Sequence, residues 1–299
     1  MLHDFDYAMR ATKGMRDYQE DMAKVWSGGG VAQPPDRAVG NGHPNDDARA
    51  DIIAVLADGM GGHAGGALAS QLVCDTFVGA YTSSHGDIPD RLFLALNDAN
   101  GAVADRVEEE PGLAGMGSTV IGVSFGSHGV HWVSVGDSPL LLFRRGEIAH
   151  LNEDHSLAPE LDRLAEAGKI SLEEARRDPR RSMLRSAVTG DEMDLIDRSR
   201  KALELATDDY VILASDGLQS LEVSEVERIV AAYASDGCDA VAAALIRAVE
   251  AMRDPHQDNA TVVVVKVLAR ARDGLTETPV SSGYDKGDTD TVPNTGGSI

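Results

Sequence analysis

Hydrophobic residues fall into two patterns along the chain, and each predicts a different kind of element. Short apolar runs rich in β-branched residues predict buried strands over residues 52–57, 118–125, 130–135, 140–144, 210–214 and 260–268. Apolar residues spaced three and four apart predict helices over about 64–81, 89–107, 224–234 and 238–253. Residues 4–26 also read as two strands joined by a turn.

The order of these elements predicts an α+β fold. Strands occur in clusters and helices in pairs, which favours segregated layers over strict alternation of strand and helix. We therefore expect a four-layer α-β-β-α sandwich with two central, mainly antiparallel sheets. The arginine-rich stretch over about 156–190 interrupts this pattern and predicts a small flap inserted into a domain that spans 1–269. Residues 270–299 are polar and predict a disordered tail.

Charge and composition indicate which classes of partner the protein would bind and in which cellular compartment we expect it. The net charge is −22, from 49 acidic and 27 basic residues, which disfavours binding to nucleic acid or to anionic lipid. No apolar run is long enough for a membrane span, and the N-terminus lacks the apolar core of a signal peptide. Cys74 and Cys238 lie in apolar helical patterns without metal-type spacing. We expect a cytoplasmic protein with two free, buried thiols.

Three aspartates lie at the ends of predicted strands. Asp58 and Asp216 each follow an apolar run and precede a glycine, and Asp258 comes just before the last strand. Strand ends can converge on one rim of a sheet, and carboxylate oxygens are the ligands that Mg²⁺ and Mn²⁺ prefer. An Asp-Gly pair is also a common turn, so the spacing alone leaves both interpretations open.

The glycines after Asp58 also satisfy a dinucleotide-binding pattern. Gly59, Gly61 and Ala64 match Gly-x-Gly-x-x-Gly/Ala between a strand and a helix. The match is weak, since Asp58 would repel a pyrophosphate. The acidic residue expected about 20 positions on should end a second strand, but that region is predicted to be helical.

Seven motifs in sequence order together resemble the PPM family, or type 2C, of metal-dependent protein phosphatases, especially its bacterial branch. They cover about residues 8–268. The motifs are Arg16 to Asp21, Ala57 to Gly66, Gly117-Ser118-Thr119, Val135 to Ser138, Asp154-His155-Ser156, Ala214 to Leu218, and Asp258 to Thr261.

The resemblance implies a centre with two Mn²⁺ or Mg²⁺ ions and a site for a third. Asp58 would bridge the ions, the Gly59 carbonyl would bind one of them, and Asp216 and Asp258 would complete the ligand shell of the second ion. Glu20 and Asp21 would orient water on the ions. Asp137 would share a third ion with Asp216. Ser220 stands where some relatives carry another acidic residue, so the occupancy of that third site stays open.

The resemblance also implies the reaction. A water bridging the ions would attack phosphorus in phosphoserine or phosphothreonine, with no covalent intermediate, while Arg16 would clamp the phosphate. Met60 stands where many eukaryotic relatives have a histidine, so for the general acid we consider His63 or a water on the metal. An equal alternative is that His63 only caps the glycine-rich turn. The implied partners are phosphorylated proteins, in particular a serine/threonine kinase and its substrates.

A regulatory binding module on the same fold is the second hypothesis. Such a pseudophosphatase would have lost metal ligands, whereas Asp58, Asp216, Asp258 and Arg16 are all present. In the flap, Arg185-Ser186-Ala187-Val188 replaces the Thr-Arg-Ala-Leu that is usual in the family, so substrate contacts there can differ.

Overall fold

A computed structural model describes residues 3–28, 30–32, 52–61, 64–126 and 128–269. His63, residues 33–51 and the tail predicted over 270–299 lie outside the described residues. Within the described part, the strands and helices follow each other in the clustered order that the sequence predicts.

The described residues form twelve strands. They are β1 (His3–Thr12), β2 (Asp21–Ser27), β3 (Gly30–Ala32), β4 (Ile52–Met60), β5 (Gly117–Ser118), β6 (Val120–Gly126), β7 (Gly129–Val135), β8 (Leu140–Arg144), β9 (Glu147–His150), β10 (Asp197–Arg198), β11 (Tyr210–Ala214) and β12 (Ala260–Ala269).

The same part of the chain forms six α-helices and three short 3₁₀-helices. The α-helices are α1 (Ala64–Ser83), α2 (Ile88–Glu109), α3 (Ala158–Glu166), α4 (Leu172–Arg177), α5 (Val223–Tyr233) and α6 (Cys238–Ala251). The 3₁₀-helices are Pro111–Leu113, Asp216–Ser220 and Ala234–Asp236. None of these helices is long and apolar enough to cross a membrane.

The strands form two antiparallel sheets. The first sheet has the order β1-β12-β11-β8-β9, and the second has the order β10-β7-β6-β4-β2-β3, with β5 paired to the end of β4. Long connections join strands that are distant in sequence, so residues from both ends of the chain meet. In the first sheet, for example, β1 pairs with β12 along its whole length.

Three apolar cores hold four layers together. One core lies between the sheets, a second joins the first sheet to α5 and α6, and a third joins the second sheet to α1 and α2. The observed layers are therefore helix pair, sheet, sheet and helix pair. The predicted α-β-β-α fold is confirmed.

Strand β4 shows why a continuous apolar run is needed at the centre. Ala54 and Leu56 face the core between the sheets, while Ile53 and Val55 face α1 and α2. Side chains of a strand alternate between faces, so a strand covered on both sides has no position for a polar residue. Polar residues appear only at its end, where Asp58 lies.

The structure differs from the sequence-based boundaries mainly at polar ends of elements. We predicted that the strand stops before Asp58, but β4 continues to Met60, because Asp58 pairs with Asp21 and Gly59 pairs with Ser118. The short strand β9 and the 3₁₀-helix at Asp216–Ser220 were not predicted. Pairing with neighbouring strands decides where a strand such as β4 ends, and the residue types along one strand give little indication of that pairing.

The region predicted as a flap contains the short helices α3 and α4. Its first residue pairs with a residue near its other end through a single bridge, Ser156 with Leu184, and a second bridge joins Val188 to Ser118 of the main domain. A capping box at Ser171 and Glu174 starts α4, with each side chain hydrogen-bonded to the other residue's backbone N–H. Residues 182–187 leave these helices as an irregular segment.

Gly122 on β6 lies where α1 packs on the second sheet, so a substitution there tests this packing. A Cβ atom there would lie 2.2 Å from the Phe77 ring, which is fully buried. We expect Gly122→Ala to lower the free energy of unfolding by about 1–3 kcal/mol, measured by denaturant unfolding.

The matched control for this substitution is Gly101→Ala on α2, where an added Cβ meets nothing within 4 Å. That change should raise the free energy of unfolding by about 0.5–1 kcal/mol through helix propensity. Equal effects of the two substitutions would contradict the packing of β6 against Phe77.

Candidate active site

A cleft of about 710 Å³ lies where the two sheets and the flap meet. Seven of the residues predicted for the site line it: Arg16, Glu20, Asp58, Gly59, Asp137, Asp216 and Asp258. Asp21 is buried beside the cleft, where it pairs with Asp58. The structure thus brings every predicted site residue that it describes to one place. His63 lies outside the described residues.

Asp58 is held by its backbone. Its N–H donates to Thr119 Oγ1 at 3.0 Å, and its carbonyl oxygen accepts from Ser118 Oγ and from the Thr119 N–H, both at 2.8 Å. These bonds satisfy both backbone polar groups of Asp58 near the end of β4. The Asp58 carboxyl is therefore carried on a rigid support.

Gly59 is needed because the chain comes very close to helix α1 at this point. A Cβ on Gly59 would lie 2.0 Å from the Gly66 carbonyl oxygen, and one on Gly66 would lie 2.6 Å from Glu20 Oε1. The Gly59 N–H also donates to the Glu20 carbonyl at 3.1 Å. The absence of both side chains lets Glu20, Gly59 and the start of α1 share one small space.

Asp216 and Asp258 come from neighbouring strands of the first sheet. Asp216 starts the 3₁₀-helix that follows β11, and Asp258 comes two residues before β12. Ser215 joins this region to the second sheet, since its hydroxyl donates to Asp21 Oδ2 at 2.7 Å and accepts from the Thr261 N–H at 2.9 Å. Ser215 therefore links the carboxylate of Asp21, in the second sheet, to strands β11 and β12 of the first sheet.

Asn259 holds the loop that carries Arg16. Its Oδ1 accepts from the Glu20 N–H at 2.7 Å, and its Nδ2 donates to the carbonyls of Lys13 at 2.8 Å and Tyr18 at 3.0 Å. An amide is needed here because the loop offers both a donor and acceptors, which a carboxylate could not satisfy. The loop is thereby fixed beside Asp258.

Arg16 contacts Asp258 directly. The Arg16 Nη2 group forms an ion pair with Asp258 Oδ2, and about half of the arginine side chain stays exposed to the cleft. The guanidinium has five N–H donors in a planar fork, so this one contact leaves donors free to bind a further anion.

Asp137 faces the same cleft from the loop between β7 and β8. Its backbone carbonyl accepts from Gln219 Nε2 at 3.1 Å, which links it to the 3₁₀-helix of Asp216. The next residue, Ser138, shares a hydrogen bond of 2.8 Å with Thr119. Through Thr119, the supports of Asp137 and Asp58 are connected.

Burial, together with the nearness of other carboxylates, raises the pKa of several acidic groups in the cleft. Burial raises the pKa of Asp21 to about 7, with further repulsion from Asp216 and Asp258. Burial likewise raises the pKa of Asp137 to about 7, with repulsion from Asp216 and Asp154. For Asp58 and Asp216, burial comes first and the neighbouring carboxylates second, and both raise the pKa.

The donor set fits hard divalent cations. Asp216 Oδ1 is buried without a hydrogen-bond partner among the described residues, and its carboxyl also lies within hydrogen-bonding reach of Asp58. Carboxylates this close need a proton or a cation between them. Oxygen donors with no sulfur suit Mg²⁺ or Mn²⁺.

The carboxylates do not form a closed cage. No three histidine, cysteine or acidic side chains in the described ranges are already arranged around a single ion position. An open arrangement is compatible with Mg²⁺-type sites, which use one or two carboxylates and keep several waters. Asp258 in particular is engaged by Arg16.

Several residues that support the site were not assigned roles from the sequence. They are Ser118, Thr119, Ser138, Ser215, Gln219 and Asn259. All but Gln219 lie inside the motifs quoted above, and Ser138, Ser215 and Asn259 stand directly beside a predicted acidic ligand. Adjacency was the available signal, but only the three-dimensional contacts show which backbone groups each side chain binds.

Comparison with known proteins places this fold and cleft in a family. The family model "Protein phosphatase 2C" matches residues 36–252. The serine/threonine protein phosphatase PstP of Mycobacterium tuberculosis is 36% identical over 247 residues, 81% of this chain and 46% of that protein. The chain belongs to the protein phosphatase 2C family, and it spans about half the length of this curated relative.

Solved structures agree with this assignment. The crystal structure of M. tuberculosis PstP/Ppp superimposes with a TM-score of 0.69 at 31% identity, covering 90% of this chain and 100% of that one. The catalytic domain of PstP in complex with two manganese ions gives a TM-score of 0.66 at 29% identity, covering 89% and 100%.

The raised pKa values predict how stability depends on pH without metal. The folded protein raises the pKa of both Asp21 and Asp137 from 3.8, the value expected in the unfolded chain, to about 7. Between pH 3.8 and pH 7 the native state therefore binds more protons than the unfolded state. The free energy of unfolding in a chelator should therefore fall as pH rises from about 5 to about 7.5. Thermal unfolding across this range measures it.

Asp21→Asn removes one of the two titrating groups and should make this fall shallower. Asp98→Asn, on the exposed face of α2, serves as the matched control and should leave the slope unchanged. Stability that increases with pH over the same range in the chelated protein would contradict the assigned pKa directions.

Proposed function

We propose that the protein hydrolyses phosphoserine and phosphothreonine in other proteins, using two Mn²⁺ or Mg²⁺ ions. The observation that carries the proposal is the convergence of Asp58, Asp216 and Asp258 in one cleft beside Arg16. The named relatives are serine/threonine phosphatases, and one related structure holds two manganese ions. Both are consistent with this chemistry.

The proposed ion ligands are Asp58, the Gly59 carbonyl, Asp216 and Asp258, with Glu20 and Asp21 orienting the waters around them. When bound, divalent ions lower the pKa of water and polarise phosphoryl oxygens, which suits direct attack of water on phosphorus. The chain's own contribution is to hold these carboxylates rigidly, through Thr119, Ser215 and Asn259. We assign Asp137 to a third ion position.

Arg16 is proposed to bind the substrate phosphate. Two parallel N–H donors of a guanidinium match two phosphoryl oxygens, and the Asn259 contacts hold the Arg16 loop in place. His63 is kept as a candidate general acid from the sequence. Its test is whether His63→Gln lowers kcat for a substrate with a poor leaving group more than for one with a good leaving group.

The flap is proposed to contact the protein part of the substrate. Residues 182–187 form one wall of the cleft, and Arg185 is exposed on that wall. Arg185 adds a positive charge to a cleft that is also lined by Asp58, Asp216 and Asp258. We propose that the substrates include a serine/threonine kinase and its targets, and that the protein acts in the cytoplasm.

The proposal predicts that Asp58→Asn abolishes phosphatase activity. Loss of a bridging carboxylate removes several kcal/mol of transition-state stabilisation, so kcat/KM should fall by about 10³-fold or more. Hydrolysis of p-nitrophenyl phosphate and of a phosphothreonine peptide in Mn²⁺ measures this. Mn²⁺ binding by calorimetry should weaken in the same variant.

Asp98→Asn is the control, and it should match the wild type in both assays. The alternative function, a binding module on the same fold, predicts a wild-type rate no higher than that of Asp58→Asn. If the wild type is inactive with Mn²⁺ and with Mg²⁺ while its fold is intact, the hydrolase proposal is wrong.

Arg16→Ala should raise KM by about tenfold or more, because the guanidinium provides charge-assisted hydrogen bonds to the phosphate. Arg16→Lys should recover little of this loss, since an ammonium group cannot form two parallel bonds. Steady-state kinetics with p-nitrophenyl phosphate measures the effect. A lysine variant with wild-type KM would exclude a two-bond clamp at this position.

A further inference from the structure

His155 lies where the main domain continues into the flap, and none of the roles above uses it. Its side chain is 3% exposed, so it is part of the protein interior. It belongs to the motif Asp154-His155-Ser156, which the sequence resemblance leaves without a stated role. Its contacts lead to two different walls of the cleft.

The first set of contacts leads to Asp137. His155 Nδ1 accepts from the Gly136 N–H at 3.2 Å, and the His155 N–H donates to the Gly136 carbonyl at 3.1 Å. Both backbone polar groups of Gly136 are thus held by one residue. Gly136 has φ of 109°, and a Cβ there would lie 2.6 Å from the Thr119 side chain. The turn that aims Asp137 therefore has little room to move.

The second set of contacts leads to the flap wall. The His155 carbonyl accepts from the Arg185 N–H at 2.8 Å, and the Leu157 N–H donates to the Met183 carbonyl at 3.1 Å. Between them, Ser156 forms a bridge with Leu184. Residues 183–185 line the cleft. The chain from 155 to 157 therefore holds the flap wall by its backbone.

We infer that His155 is a positioning residue that ties the Asp137 turn to the cleft-lining segment 183–185. Its imidazole fixes the turn, and its backbone fixes the flap wall. Displacement of the ring would therefore change the spacing between the two walls. That this spacing matters for substrate binding rests on the proposed function. The coupling of the two segments does not, because it is a property of the fold.

Two amide substitutions separate the role of Nδ1 from simple filling of space. In His155→Asn, the side-chain oxygen is two bonds from Cβ, as Nδ1 is, and it can still accept from the Gly136 N–H. In His155→Gln, the amide lies one bond further out, near the place of Nε2, and the Gly136 N–H loses its acceptor. A buried donor left without a partner is costly.

Hydrogen exchange measures the coupling without reference to activity. In His155→Gln, amide protection should fall by about tenfold or more in peptides covering 136–138 and also in those covering 183–185. In His155→Asn, both should stay near the wild-type value. A purely local effect would loosen 136–138 only, and an effect on overall stability would loosen β11 and β12 equally.

Kinetics provides the functional readout. We expect His155→Gln to raise the KM for a phosphothreonine peptide about threefold or more, compared with the change that it causes in the KM for p-nitrophenyl phosphate. The peptide is long enough to reach the flap wall, whereas p-nitrophenyl phosphate is too small. His155→Asn should restore the wild-type ratio. A variant that only reduces the folded fraction would lower both rates equally and leave both KM values unchanged.

The inference is overturned if segment 183–185 keeps its protection in His155→Gln, or if the asparagine and glutamine variants behave alike. A wild-type protein that hydrolyses neither substrate would contradict the proposed function, and the exchange experiment would still decide the role of His155. Normal exchange with wild-type kinetics in both variants would leave His155 as an ordinary core residue, contrary to the inference.

Discussion

Mutual repulsion of buried carboxylates is the constraint on which the site depends. Asp21, Asp58, Asp137 and Asp216 all have raised pKa values, first from burial and then from one another. Without compensation, such a cluster would destabilise the fold, and it would separate if its supports were flexible. The sheets prevent separation, because each carboxyl lies within a strand that is buried and paired or within two residues of the end of one. The repulsion can then be relieved only by protons or by cations.

The supporting hydrogen bonds are neutral and come from small polar side chains. Thr119 and Ser118 hold Asp58, Ser215 holds Asp21, and Asn259 holds the loop of Arg16. Neutral donors position the acidic residues without cancelling their charge, which leaves that charge available for a cation. Arg16 is the exception, since it pairs with Asp258. It is also the residue for which we propose an anionic ligand, and under that proposal its partner would change when phosphate enters the cleft.

Much of the fold could be predicted from the sequence, because strands such as β4 and β12 are covered on both faces and must be apolar throughout. The acidic ligands were also predictable, since they stand at the ends of those strands. The extension of β4 through Asp58 and Gly59 was not, because it depends on pairing with Asp21 and Ser118 across long sequence separations.

The roles of Asn259 and His155 were hidden for a similar reason. Both bind backbone groups from distant segments, and backbone groups carry no sequence signal. A motif can show that such a residue is present beside a ligand, but the segment that it holds becomes visible only when the chain is folded. The same limit applies to Ser215, whose two partners lie 194 and 46 positions away.

The distribution of charge around the cleft implies an order of binding. A phosphate dianion entering the bare cleft would face Asp58, Asp137 and Asp216, and Arg16, one of the arginines that line it, is already paired with Asp258. Cations that neutralise these carboxylates would turn the repulsion into attraction, and by binding Asp258 they would also release the Arg16 Nη2 group that contacts it. The charge cluster and the ion pair therefore act in the same direction. Both make the cleft unfavourable for phosphate until the metal is present, so the acidic cleft favours metal first and substrate second.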